Sequence, residues 1–346
     1  MSASLDRQFR GSAALLVQML DAAQDRLLVA QMSEEDYRSA SFLDQRVLAG
    51  GRPCDWIDWP RLESWSAGVA DDCGFIFHIG HVGSTLISRL LGELPSILSV
   101  REPLILRSFA ELERLRGRPY APWAPEEQDR RLGVALAWLS RSFRPGQQAI
   151  VKATSFVSEI THRLQRPGRR SIALTVSADT YLATILAGDA SRQELALLSG
   201  DRLARLHARL GEEPWKLWEL GLGERAALAW LCETSALAAA AEADAGGDLL
   251  WVDFERFLAA PAADLSTIAA HLGHPLEPAA AEALAAGPLM RRYSKAMEHD
   301  YSPALRQAVL AQARRDHGLE LRRGRAFIDG AAARYPAAAR ALERAG

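Results

Sequence analysis

Short apolar runs alternate with segments of helical periodicity along most of the chain. Five of these runs have the length of strands and hold few polar residues, which is typical of strands buried on both faces of a sheet. They lie at residues 75–79, 97–100, 149–151, 171–176 and 249–252. Because helical patterns separate the runs, the pattern predicts an α/β fold, a three-layer sandwich with a mostly parallel five-stranded sheet.

The first 70 residues carry a different pattern. Apolar residues recur at helical spacing from Leu15 to Leu28, and a Gly/Pro break near Gly50 precedes a stretch rich in tryptophan. This spacing predicts helices before the first strand of the sheet. The chain therefore divides into three predicted parts: a helical N-terminal extension (1–70), a main α/β domain (71–320) and a C-terminal helical tail (321–346).

The first buried run is followed by a loop with the composition of an anion-binding site. Gly80 and Gly83 allow the backbone to approach a ligand closely, and Ser84 and Thr85 begin a segment of helical pattern. Backbone N–H groups and the N-terminus of a helix both attract phosphate-like groups. A Walker A loop would place a lysine directly after the last glycine, and here Ser84 stands at that position. We therefore predict a phosphate-type ligand, with a plain strand-to-helix connection as the alternative.

Charged residues follow the other predicted strands. Arg101, Glu102, Lys152 and Asp253 all lie at strand ends, and the carboxyl ends of parallel strands meet at one edge of a sheet. Glu102 could act there as a general base, and Lys152 could stabilise negative charge that develops during a reaction. The alternatives are an ion pair at the sheet edge for Glu102 and a solvated side chain for Lys152.

The loop resembles the 5′-phosphosulfate loop of sulfotransferases, P-loop-fold enzymes that transfer a sulfuryl group from 3′-phosphoadenosine 5′-phosphosulfate (PAPS) to an acceptor. Its Gly-Ser-Thr end matches, and His81 stands at the usual basic position. The order of several weaker motifs extends the resemblance over residues 74–317. The resemblance implies PAPS as the sulfuryl donor, bound by Gly80, His81, Val82, Gly83, Ser84 and Thr85.

The resemblance also implies catalytic roles. Sulfotransferases of the tyrosylprotein type carry a catalytic glutamate at a similar spacing after the loop, and Glu102 matches it. Similar enzymes carry a lysine at the strand end where Lys152 lies. Together with His81 in the loop, Lys152 would then hold the sulfuryl oxygens while Glu102 activates the acceptor.

The predicted 3′-phosphate site departs from the family pattern. Sulfotransferases usually bind this phosphate with an arginine and a serine, whereas this chain offers Ser177, in one of two registers, and Thr184. A hydroxyl does not replace a guanidinium, because a hydrogen bond to a charged group contributes about 1.5–3 kcal/mol. We predict that Arg292 and Lys295 supply the missing cations, with Arg192 as a further candidate. The alternatives are that this segment is a solvated basic loop or that the donor is not PAPS.

Composition and net charge indicate which class of protein this is and which partners it is expected to lack. The chain has 346 residues, of which 49% are hydrophobic and 24% charged, as is common for soluble globular proteins. A formal net charge of −2 gives no general attraction to nucleic acids or anionic membranes. The three cysteines lack metal-ligand spacing, and no apolar run reaches membrane-spanning length. We expect a cytoplasmic protein without a metal, a nucleic-acid partner or a membrane span.

Three hypotheses about function remain from the sequence. The first is a PAPS-dependent sulfotransferase, and the second is an ATP-using P-loop kinase or NTPase that needs magnesium and Asp253. The third is a nucleotide-binding protein that kept the fold and lost the chemistry. The acceptor could be a sugar, a peptide, a lipid or a small phenol, because acceptor pockets are formed by variable loops. The sequence does not specify the oligomeric state.

Overall fold

The computed structural model describes residues 2–49, 51–243, 248–292 and 302–345. Its strands form an antiparallel sheet of three strands and a parallel sheet of five. The first sheet contains β1 (Leu15–Asp21), β2 (Arg26–Gln31) and β3 (Cys54–Asp58), and the second contains β4 (Gly74–His78), β5 (Ile97–Arg101), β6 (Gln148–Lys152), β7 (Ser171–Thr175) and β8 (Leu249–Asp253).

The parallel sheet confirms the predicted α/β fold. Its strand order is β5-β6-β4-β7-β8, and every predicted strand begins and ends within one residue of the observed one. All residues of β4, β5 and β7 are buried, so helices cover both faces of the sheet. The loop that follows β4 therefore lies next to the end of β6, which carries Lys152, and one strand further from the end of β5, which Glu102 follows.

The helices surround this sheet. Helix α4 packs against β4, β5 and β6, whereas α10 contacts α8, α9, α15 and α16. The helices are α1 (Ser2–Gly11), α2 (Glu34–Ser39), α3 (Trp59–Ser64), α4 (Ser84–Leu91), α5 (Leu104–Glu113), α6 (Pro125–Leu139), α7 (Thr161–Leu164), α8 (Ala178–Ala187), α9 (Asp189–Leu210), α10 (Leu222–Ala243), α11 (Phe254–Ala259), α12 (Pro261–His271), α13 (Pro278–Ala286), α14 (Pro303–Asp316), α15 (Gly318–Arg334) and α16 (Pro336–Ala345). Short 3₁₀ turns lie at Gln45–Leu48, Ser155–Ile160, Leu217–Glu219 and Pro288–Arg291.

The prediction that the N-terminal extension is helical is wrong for residues 15–31, which form the β1–β2 hairpin. Leu15 pairs with Gln31 and Asp21 pairs with Arg26 across the two strands. Between them the chain reverses through Asp25, which adopts a left-handed φ of 50°. A run of seven mostly apolar residues fits helical and strand periodicity about equally well, and pairing between the strands decides the outcome. Helices do occur in this part of the chain, at α1, α2 and α3.

One hydrophobic core runs through all three predicted parts of the chain. Phe9 and Trp59 from the N-terminal part belong to the same cluster as the sheet residue Phe75. Ile328 and Ala341 from the C-terminal part belong to it as well. The boundaries near residues 70 and 320 therefore do not separate independent cores, and the division into domains stays a prediction. In the described ranges, every helix is too short or too polar to cross a membrane.

Arg101 at the end of β5 joins the N-terminal part to the parallel sheet. Its side chain is 1% exposed and donates hydrogen bonds to the carbonyls of Arg38 (2.9 Å) and Ala40 (2.8 Å). In return, the N–H of Leu43 donates to the carbonyl of Arg101 at 2.6 Å. A buried guanidinium needs such acceptors, because an unpaired one would be strongly destabilising. These bonds hold residues 38–43 beside Glu102.

Candidate functional site

A cleft of about 810 Å³ opens at the carboxyl edge of the parallel sheet. It lies between the loop after β4, the ends of β5 and β6, and the helices α8, α9 and α14. A ligand at this edge would occupy the place where open α/β sheets generally bind theirs. The predicted site residues that line it are Gly80, His81, Val82, Gly83, Ser84, Thr85, Glu102, Lys152, Thr184 and Arg292.

Other predicted residues lie elsewhere. Ser177 does not line the cleft; its hydroxyl accepts a hydrogen bond from the Thr180 N–H and caps the start of α8. Arg192 also stays outside, with its guanidinium bonded to the Leu186 carbonyl at 2.5 Å. Lys295 lies outside the described residues. The predicted 3′-phosphate site thus retains Thr184 and Arg292.

The loop after β4 is held open by left-handed backbone. Gly80 and Gly83 adopt φ of 85° and 71°, and His81 adopts φ of 54°. Gly83 has a second reason to be glycine, because a Cβ built there would lie 2.0 Å from the Phe254 ring. A side chain at this position would collide with α11.

Helix α4 begins at the loop with polar groups left to bind a ligand. Gly83 is its N-cap and supplies no side-chain acceptor for the first backbone N–H groups. The Thr85 hydroxyl is buried and has no hydrogen-bond partner among the described residues. Unsatisfied donors of this kind attract the oxygens of an anion.

Lys152, Glu102 and His78 meet at the ends of three neighbouring strands. The Lys152 side chain is fully buried (0% exposed), and its ammonium forms an ion pair with the Glu102 carboxylate. His78 Nε2 lies 3.8 Å from Glu102 Oε1, while His78 Nδ1 accepts the Gly80 N–H at 3.0 Å. The ion pair that was the alternative to catalysis is therefore present. Both partners also line the cleft.

His81 connects the loop to α9. Its Nε2 lies 3.4 Å from Glu194 Oε2, and its Nδ1 lies 3.4 Å from the Ser191 hydroxyl. These contacts fix the His81 ring between the loop and α9.

Several cleft residues carry no signal in the sequence. Phe42 and Arg46 come from the N-terminal part, and Arg306 comes from α14 near the C-terminus. Arg107 and Phe156 follow β5 and β6, but no motif surrounds them. The first three could be found only once the packing of distant elements was known.

Arg306 lies at the far end of the cleft, on the β8 side. Its guanidinium lies 5.8 Å from the centre of the Phe254 ring and 3.4 Å from Glu255 Oε1. Glu255 Oε2 in turn accepts a hydrogen bond from the Thr180 hydroxyl at 2.9 Å. This chain of contacts places a guanidinium near α8, where Ser177 was predicted to bind phosphate.

A buried charge cluster supports the wall of the cleft. Glu233 in α10 is 0% exposed and accepts hydrogen bonds from Arg202 (3.0 Å) and Arg205 (2.7 Å) in α9, and also from Ser158. Burial alone would raise the pKa of Glu233, but the positive charges of Arg205 and Arg202 outweigh it and lower this pKa. The cluster fixes the Ser155–Ile160 turn, which contributes Phe156 to the cleft.

The position of Asp253 weakens the magnesium-dependent hypothesis. Its carboxylate caps α11 by accepting the Arg256 N–H at 2.8 Å, and it does not line the cleft. Among the described residues, no group of three histidine, cysteine, aspartate or glutamate side chains is arranged to hold a metal ion. The absence of a metal stays a prediction.

Matches to known proteins were found among solved structures. No protein-family model matches the chain. No curated protein matches it either. It is similar to the "Sulfotransferase Domain from the Curacin Biosynthetic Pathway", with 15% identity over 67% of this chain and 83% of that chain and a TM-score of 0.38. It is also similar to the "Sulfotransferase Domain from the Synechococcus PCC 7002 Olefin Synthase", with 14% identity over 70% and 87% of the two chains and a TM-score of 0.38.

Proposed function

We propose that the chain is a sulfotransferase that takes a sulfuryl group from PAPS. One observation carries the proposal: the glycine-rich loop and the start of α4 open into the same cleft as the Lys152–Glu102 pair. An anion-binding loop, a buried cation and a carboxylate base are the groups that transfer of a sulfuryl group to a hydroxyl or amine requires.

The donor's 5′-phosphosulfate fits the loop. Backbone N–H groups between Gly80 and Thr85 would bind its oxygens, and the buried Thr85 hydroxyl would gain the partner that the described residues do not provide. The Lys152 ammonium adds positive charge in the same cleft, and the His81 imidazole also lines it. When bound, the donor supplies the sulfuryl group and departs as the bisphosphate.

The 3′-phosphate would be bound by Arg292, Arg306 and Thr184. All three line the cleft, and Arg306 and Thr184 lie on the side of β7 and β8. Arg306 takes the role for which the sequence suggested Lys295. Two guanidinium groups can provide the charged hydrogen bonds that a hydroxyl at position 177 cannot.

Glu102 and Lys152 would carry out the chemistry on the acceptor side of the loop. A Glu102 carboxylate oxygen would accept the proton from the acceptor hydroxyl or amine as the new bond to sulfur forms. The Lys152 ammonium, already held at this carboxylate, would stabilise negative charge on the departing oxygen.

Calorimetric titration separates the three functions suggested by the sequence. We expect adenosine 3′,5′-bisphosphate to bind with a Kd at least tenfold lower than that of ADP, because the 3′-phosphate adds charged hydrogen bonds, about 1.4 kcal/mol for each factor of ten. Arg306→Gln should reduce this difference, whereas Arg192→Gln serves as the control outside the cleft. Binding of ATP only with magnesium would point to a kinase or NTPase. No binding of any of the three nucleotides would point to a protein without this chemistry.

A further inference from the structure

We propose that the acceptor of this reaction carries an acidic group that is bound by Arg46 and Arg107 near the Glu102 carboxylate. The inference rests on the proposed function, because it concerns the molecule that receives the sulfuryl group. It assigns both arginines to the acceptor and not to the donor.

Arg46 is oriented so that part of its guanidinium stays available. Its Nε and Nη2 donate to Asp44 at 2.7 and 2.5 Å, and its guanidinium lies 4.0 Å from the centre of the Phe42 ring. Its Nη1 has no hydrogen-bond partner within the part of the chain that the structure describes. Asp44 does not line the cleft, whereas Arg46 does. The carboxylate therefore fixes the guanidinium from outside and leaves one edge for a ligand.

Arg107 has the same arrangement on α5. Its Nε donates to Glu111 at 3.1 Å, and its guanidinium lies 5.1 Å from the centre of the Phe156 ring. Neither terminal nitrogen donates to another described residue. A guanidinium held through Nε and stacked on a ring is well prepared to bind a carboxylate or phosphate with its terminal nitrogens.

The strand order places both arginines on the acceptor side. Strands β5 and β6 lie on one side of β4, and β7 and β8 lie on the other. Arg107 belongs to the helix that follows β5 and Glu102, and Arg46 lies close enough to Glu102 for the two charges to interact. The groups proposed for the 3′-phosphate, Thr184 and Arg306, come from the opposite side.

Guanidinium nitrogens without a partner among the described residues favour an anion on this side of the cleft. Arg46 and Arg107 line it with the Lys152–Glu102 pair, while Asp44 and Glu111 bind the two arginines from outside the cleft. A neutral acceptor would cover the guanidinium groups without providing a hydrogen-bond acceptor of opposite charge, which is unfavourable. An acidic group on the acceptor would satisfy both.

The acceptor also has room to extend. A second groove of about 350 Å³ shares Phe42 and Arg46 with the cleft and continues along residues 32–52. Ser39, Ser41 and Arg52 line it together with apolar side chains such as Met32 and Val47, so its surface is mixed. Arg46 thus lies where an extended acceptor would pass from the groove to the proposed base, Glu102.

Two probes that differ by one carboxylate test the proposal. 4-Nitrophenyl β-glucuronide and 4-nitrophenyl β-glucoside share a pyranose ring with free hydroxyls and a nitrophenyl group. They differ at C6, which is a carboxylate in the first and a hydroxymethyl group in the second. Their Kd values are measured by calorimetry with and without saturating adenosine 3′,5′-bisphosphate. We expect the glucuronide to bind wild-type protein about tenfold more tightly, and the Arg46→Gln/Arg107→Gln double variant to lose this preference. Arg118→Gln, an exposed change outside the cleft, should keep it.

The outcomes distinguish a failure of the acidic-acceptor proposal from a failure of the sulfotransferase proposal. Equal affinities for the two probes, no measurable binding of the glucuronide, or a preference that survives the double variant would each overturn the acidic acceptor. If the wild-type protein does not bind adenosine 3′,5′-bisphosphate, the sulfotransferase proposal is wrong. The preference between the two probes, measured without bisphosphate, would still test the role of the two arginines. The double variant's bisphosphate Kd should match that of the wild type, because neither arginine is assigned to the donor.

Discussion

At the scale of single residues, Glu102 is unusual in its backbone. It adopts a left-handed φ of 55°, which costs a residue with a side chain about 1–2 kcal/mol. Its N–H donates to the Lys152 carbonyl at 2.7 Å, and its carboxylate is paired with the Lys152 ammonium. Backbone and side chain are thus both fixed by the same neighbour. Such conformations persist where the surrounding structure holds them, often at functional sites.

Replacement of Glu102 by glutamine tests its role as the base. Glu102→Gln keeps the shape of the side chain and removes the proton acceptor, so we expect kcat for sulfuryl transfer to fall about 10²–10⁴-fold. The Kd of adenosine 3′,5′-bisphosphate should change little. Glu126→Gln, which alters an exposed carboxylate in the first turn of α6, is the control. A Glu102→Gln variant with the activity of the wild type would exclude the base role.

The residues that could be predicted are those that follow a strand directly. The loop residues, Glu102 and Lys152 all lie in the cleft, because the end of a parallel strand fixes which edge of the sheet they reach. Ser177 also follows a strand, but its hydroxyl caps α8, as serine before a helix commonly does. Arg46 and Arg306 could not be predicted, since their positions depend on how distant segments pack.

At the scale of elements, the loop after β4 and helix α11 fit together closely. Phe254 begins α11 directly after β8 and occupies the space that a side chain at position 83 would need. The sequence indicated the glycine through the loop pattern, but nothing in it indicated the aromatic partner 171 residues later. The shape of the loop therefore depends on two elements and not on its own residues alone.

Gly83→Ala should disturb this fit. The new Cβ would combine a left-handed φ with a collision against Phe254, so we expect a loss of stability above the roughly 1 kcal/mol that the backbone conformation alone costs. Bisphosphate binding should weaken at least tenfold as the loop moves. Gly117→Ala is the matched control, because Gly117 has φ of 70° but a Cβ added there would meet no atom within 4 Å. Equal melting temperatures of the two variants would show that the collision is relieved without effect.

The N-terminal hairpin shows where local pattern stops being informative. Residues 15–21 and 26–31 are too short for their apolar spacing to separate helix from strand. Pairing between them, and the added pairing of β3 with β2, supply the energy that decides the structure. By contrast, the five runs of the parallel sheet were separated by long helical patterns, and each could be assigned from the sequence.

At the scale of the whole molecule, buried charges join the layers. Glu233 connects α10 to α9 through Arg202 and Arg205, and to the turn below the cleft through Ser158. Removing one partner from a buried ion pair leaves an uncompensated charge and is destabilising by about 3–5 kcal/mol. The cleft wall therefore depends on a cluster whose residues do not line the cleft.

The contribution of this cluster to the stability of the protein should depend on pH. Because the pKa of Glu233 is lower in the folded protein than its ordinary value of 4.5, its contribution is complete above about pH 4.5 and is lost as pH falls through the folded pKa. We expect Glu233→Gln to melt well below the wild type at pH 7, and the difference to shrink towards pH 3. Glu126→Gln should follow the wild type throughout. A difference that is constant between pH 7 and pH 3 would contradict the assigned direction of the shift.

The anchor formed by Arg101 has a mechanical consequence. The residue that grips the backbone of residues 38–40 is joined by a single peptide bond to the residue proposed to take the acceptor's proton. A molecule that displaced residues 38–40 from the neighbouring groove would move Arg101 through these hydrogen bonds, and Arg101 is covalently joined to Glu102. Binding of a ligand in that groove and the orientation of the Glu102 carboxylate should therefore be coupled.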